Sequence, residues 1–95
     1  MNKEDLKIGE FYVNINLYPH SAPNWIRLED INEKDNYVKV IVVDSEDYIN
    51  EKLKYKEGYE IQEIILNYFL SNYKLKQTIY EDIYSNINRL KLIGD

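Results

Sequence analysis

The chain has 95 residues, 44% of them hydrophobic, and a formal net charge of −5. This length suits one domain with one core, and the apolar share is that of a globular chain, which argues against disorder. The absence of cysteine excludes disulfides, thiolate metal sites and cysteine nucleophiles, and no run of about 20 apolar residues offers a membrane span.

Met1-Asn2-Lys3-Glu4-Asp5 is polar and leads into no apolar signal segment, so a cytoplasmic protein is expected. Gly9 permits a turn before residues 10–18, which alternate strictly. Phe11, Val13, Ile15 and Leu17 point one way and Tyr12, Asn14, Asn16 and Tyr18 the other, the pattern of a half-buried strand. Pro19 to Asn24 is a loop, since Pro19 and Pro23 exclude a helix and remove ladder donors. A second strand is expected over Trp25 to Glu29, with Trp25 read as a core residue, and Asn32 to Asn36 as a polar hairpin connection. Tyr37 to Val43 is the strongest strand, apolar on both faces and therefore expected to be central and doubly covered.

Asp44-Ser45-Glu46-Asp47 reads as a helix start with Ser45 as cap, running to about Leu53, although alternation at Leu53, Tyr55 and Glu57 keeps a strand open. After Gly58, Ile61, Ile64, Ile65, Tyr68 and Phe69 recur at helical spacing and predict a helix over about 59–73. Thr78 and Glu81 form a capping box opening a last helix over about 78–92, with Ile79, Ile83, Ile87 and Leu90 on one face. The fold class expected is one α+β domain over residues 1–95. It comprises an antiparallel sheet of three to four strands within 10–43, followed by two C-terminal helices packed on one face. From Leu6 to Val43 the chain resembles in architecture small barrels of the Src-homology-three type, Lys7-Ile8-Gly9-Glu10 entering a strand and Trp25 opening the next. The resemblance covers under half of the chain, implies a partial barrel and transfers no functional residue.

Chemistry-bearing patterns are sparse. His20 is the only histidine and cannot form a zinc site without cysteine. Ser21 beside it lacks the orienting acid and geometry of a triad. Glycines at 9, 58 and 94 cannot make a phosphate-binding loop, and Asp44-Ser45-Glu46-Asp47 lacks the alternating acids and glycine of a calcium loop. No catalytic residue, metal or cofactor is therefore expected. A helix-turn-helix built from the two C-terminal helices would present Glu81 and Asp82 to phosphate, which opposes a DNA-binding role.

Charge is localised. Residues 29–63 carry eleven acids and five bases, whereas the segments before and after are close to neutral. Abundant Lys, Asn, Ile and Tyr beside a single alanine point to an AT-rich genome, which also accounts for the ten tyrosines. Small size, localised acidity and this composition lead to an expected function by analogy. It is a phage or mobile-element inhibitor of the anti-CRISPR or other anti-defence type, occupying a basic nucleic-acid-binding surface of a host complex as a DNA mimic. The expected partner-binding surface is Glu29, Asp30, Glu33, Asp35, Tyr37, Asp44, Glu46, Asp47 and Tyr48. The alternative is a bacterial adaptor that binds a protein or self-associates, as monomer or homodimer, with neither nucleic acid nor membrane as a direct partner.

Overall fold

The structure, a computed structural model, describes residues 1–16 and 22–76. Aromatic and β-branched residues form strand β1, Phe11–Asn14, strand β2, Trp25–Asn32, and strand β3, Tyr37–Val42. Helix α1, Ser45–Asn50, follows, then strand β4, Ile61–Ile65, helix α2, Leu66–Asn72, and strand β5, Tyr73–Leu75. All pairings are antiparallel and the strand order is β4-β3-β2-β1-β5, so β1 pairs with both β2 and the last described strand.

This architecture corrects the expectation of a three- to four-stranded sheet followed by two helices. The sheet has five strands: β4 lies within the segment expected as a helix over about 59–73, and β5 runs from its end into the connection to the next expected helix. Residues 61–65 form a strand because an antiparallel partner satisfies the outer backbone edge of β3, and because Ile61, Ile64 and Ile65 are β-branched. Helical spacing had placed these three on one face. In the strand only Ile64 turns inward, 7% exposed, while Ile61 and Ile65 are 61% and 63% exposed. The helical remainder, α2, has seven residues and starts without a side-chain cap at Ile65. The expected continuation of β1 through Leu17 and Tyr18, the loop residues Pro19, His20 and Ser21, and the helix over about 78–92 with Thr78 and Glu81 lie outside the described residues.

β2 runs past the expected Glu29 because a bulge between Leu28 and Asp30 lets Ile31 return to the core face. β3 is interior, flanked by β2 and β4, although the middle strand is β2. The core is built on one sheet face from Tyr12, Ile26, Leu28, Val38, Val40 and Ile64, and is closed by Leu66 and Phe69 of α2 and Tyr73 of β5. Tyr12 stands edge-on to Phe69 at 5.2 Å, and Phe69 stacks on Tyr73 at 4.7 Å. The core thus recruits the Tyr12 face of β1, while Phe11 is buried on the other face and Ile15 is exposed. Trp25, half-buried beside Val13 in the register, is outside this core. Each such buried side chain contributes about 1.5–3 kcal/mol, against about 0–1 for a surface ion pair. Apolar burial therefore decides the fold, and the acids are free to serve other ends.

Candidate functional site

The nine residues of the expected acidic surface fall into separate places. Asn32 Oδ1 accepts from the Asp35 N–H at 3.0 Å, and Asn36 takes φ +60, so the β2–β3 connection is a tight polar turn. Glu33 and Asp35 project from it, exposed, with Asp30 on the adjoining bulge and half-buried Tyr37 opening β3. Glu33 meets Lys3 at 3.4 Å; both side chains are about half exposed, so the pair adds little. Glu29 sits inward of this group, its Oε1 3.1 Å from Arg27 Nε, with both atoms buried. The two are charge partners without the alignment of a hydrogen bond.

Asp44, Glu46, Asp47 and Tyr48 lie at the opposite end of β3, which over six residues spans roughly 20 Å. The acids therefore make two clusters instead of one patch. The N-cap of α1 is Asp44, not Ser45: its Oδ1 accepts from the Asp47 N–H at 2.9 Å. Lys54 lies between Asp44 and Glu46, hydrogen-bonded to both carboxylates. The Lys54 bond to Asp44, with the Asp47 N–H, holds the Asp44 carboxyl below its ordinary range, and the two carboxylates raise the Lys54 ammonium.

Asp47 is 1% exposed. Its carboxylate accepts from the Lys54 N–H at 3.1 Å and the Tyr59 hydroxyl at 3.2 Å, which fastens residues 54–59 to α1. Asp47 thus organises the loop from inside, and Tyr48 packs its ring under the buried Lys76 ammonium at 5.4 Å. Lys76 also donates to the Ile49 carbonyl at 2.6 Å, so the end of the described chain is tied to α1.

Two features were missed by reading the sequence. One is a mostly apolar groove of about 380 Å³ beside β5, lined by Met1, Ile15, Leu70, Tyr73 and Leu75 among others. The other is β4 itself, an edge strand among the described residues, which shows Ile61, Glu63 and Ile65 to solvent. Local pattern gave no signal for the second, since Ile61-Gln62-Glu63-Ile64 has helical spacing; only the β-branched isoleucines favour a strand. Among the described residues no cluster of three or more His, Asp or Glu could hold a metal ion, and no helix is long and apolar enough to cross a membrane. The helix-turn-helix reading has only the seven-residue α2 among the described residues, engaged in the core through Leu66 and Phe69. No family model matches the sequence, and no curated protein and no solved structure matches it either.

Proposed function

We propose that the chain is a cytoplasmic protein-binding domain that acts by occupying a basic surface of a nucleic-acid-handling complex, as a phage or mobile-element inhibitor of the anti-defence or anti-CRISPR type would. The observation that carries this reading is the excess of eleven acids over five bases in residues 29–63, with Asp30, Glu33 and Asp35 exposed around one turn. Complementary charge steers such an encounter and sets its salt dependence. The turn supports the reading better than α1, where Asp47 is buried and Lys54 offsets Asp44 and Glu46.

The test is capture of partners from a low-GC bacterial lysate by the wild type and by Glu33→Lys/Asp35→Lys, with identification by mass spectrometry. A nucleic-acid-handling complex should be retained by the wild type, and lost at about 0.5 M salt and with the double variant. Equal retention by both proteins would remove charge mimicry. The adaptor reading is favoured by one observation of its own, the two exposed isoleucines on the β4 edge. It expects a partner whose retention is indifferent to salt.

A further inference from the structure

The outer edge of β4 has a readable hydrogen-bonding and side-chain pattern. The Val42 N–H donates to the Glu60 carbonyl at 2.8 Å, and the Leu66 N–H to the Asn36 carbonyl at 2.9 Å. Both bonds belong to the register that pairs Ile41 with Ile61 and Tyr37 with Ile65. Bonded and non-bonded pairs alternate along an antiparallel ladder. Glu60, Gln62, Ile64 and Leu66 therefore turn their backbone groups toward β3, and Ile61, Glu63 and Ile65 turn theirs outward. No strand follows β4 on that side of the sheet among the described residues.

The same three residues carry side chains on the face opposite the core, with Ile61 and Ile65 more than half exposed on either side of exposed Glu63. Across the sheet the middle position belongs to a row of alternating sign, Asp30 opposite Lys39 and Lys39 opposite Glu63. The neighbouring rows put Ile41 opposite Ile61 and Tyr37 opposite Ile65. A strand added outside β4 meets apolar, acidic and apolar positions in turn. Directly opposed side chains are the unit of sheet stabilisation, and like charges there are destabilising.

A second copy of this chain fits the edge poorly. Two-fold antiparallel pairing centred on β4 sets Glu63 against Glu63, and pairing centred one residue to either side sets Glu63 against an isoleucine. A charge at the middle of an edge strand guards against self-pairing in this way. The pattern instead fits a strand with the opposite charge.

We infer that the outer edge of β4 is a docking site for an extended segment of a partner protein. The segment adds antiparallel to the sheet, with Lys or Arg opposite Glu63 and apolar residues two positions to each side, opposite Ile61 and Ile65. This rests on the reading of the chain as a binder of basic protein partners, and gives that binding a strand-addition geometry.

The test titrates the full chain, isotopically labelled, with the peptide Thr-Val-Thr-Lys-Thr-Val-Thr and with the same peptide carrying Glu in place of Lys, followed by amide shifts and calorimetry. The Lys peptide should shift the amides of Ile61, Glu63 and Ile65, and the Glu peptide should bind about five- to tenfold more weakly. In Glu63→Lys the order of the two peptides should invert. Glu57→Lys makes the same change of net charge in the exposed loop before Gly58 and should leave both affinities within about twofold. Absence of shifts at those three amides, equal affinity of the two peptides in both proteins, or a dimer that buries β4 would each overturn the site. A captured complex whose retention is unchanged in Glu63→Lys overturns the site and spares the functional proposal. Peptide binding as described, with no nucleic-acid-handling complex captured, does the reverse.

Discussion

Ten tyrosines in one small chain do not share one role. The Tyr12 hydroxyl, in the core, accepts from the Lys7 N–H at 2.9 Å, and the Tyr73 hydroxyl donates to the Pro23 carbonyl. The Tyr68 hydroxyl is buried with no hydrogen-bond partner among the described residues. A buried polar group without a partner keeps its desolvation cost, whereas a bonded one contributes about 1 kcal/mol. Tyr68→Phe is therefore expected to leave stability unchanged or raise it by up to about 1 kcal/mol, and Tyr12→Phe to lower it by about 1 kcal/mol. Urea denaturation of the two variants beside the wild type checks this, and a larger loss for Tyr68→Phe than for Tyr12→Phe would refute it. Neither role was visible in the sequence. Codon usage can supply a tyrosine, but only the packed core decides whether its hydroxyl meets a partner.

Among the elements, β4 separates local pattern from tertiary demand most clearly. Ile61, Ile64, Ile65 and Tyr68 satisfy the spacing of a helical face, and Ile61-Gln62-Glu63-Ile64 offers no period-two alternation against it. The open edge of β3 settles the matter, since its backbone groups gain partners only if residues 61–65 extend. The two assignments differ in a measurable way. Ile64→Ala is expected to cost about 2–4 kcal/mol, because it opens a cavity in the core. Ile61→Ala and Ile65→Ala should cost less than about 1 kcal/mol each, at exposed positions. Similar losses at all three would restore the helix and remove the docking edge with it. By contrast, the start of α1 was legible, because Asp44, Ser45, Glu46 and Asp47 carry local capping chemistry. Which of them caps was not, and neither was the inward turn of Asp47, which depends on Lys54 and Tyr59 arriving from later in the chain.

On the scale of the whole molecule, charge and burial meet in the response to pH. Burial raises the pKa of the Tyr12 hydroxyl, and Glu10 and Asp5 add to this against the opposing Lys7 N–H. Burial is again the first cause at Tyr73, with Tyr68 adding to it and a hydrogen bond with Asn14 opposing. Each hydroxyl keeps its proton in the folded chain at pH values where the unfolded chain, near the ordinary value of 10.0, releases it. The unfolded state then binds fewer protons, so stability is full below that value and falls as pH rises beyond it. Urea midpoints measured from about pH 8 to about pH 11 should decline above about pH 10, and the double variant Tyr12→Phe/Tyr73→Phe should decline less. A flat wild-type profile would contradict this.

Composition and local pattern by themselves determined the absence of cysteine chemistry, the strands at Phe11, Trp25 and Tyr37, the polar turn between the last two, and the concentration of acid in residues 29–63. Those properties depend on residue type and on neighbours within a few positions. The placing of the acids of 29–35 and 44–48 at opposite ends of strand 37–43 was also legible. Only the tertiary structure decided that no pairing brings them round into one patch, that Asp47 lies inside, and that β4 is an edge strand among the described residues with Glu63 at its centre. Each of these follows from pairing between distant segments. Backbone groups left open by one strand recruit another, and which side chains remain outside is settled only when that pairing is complete.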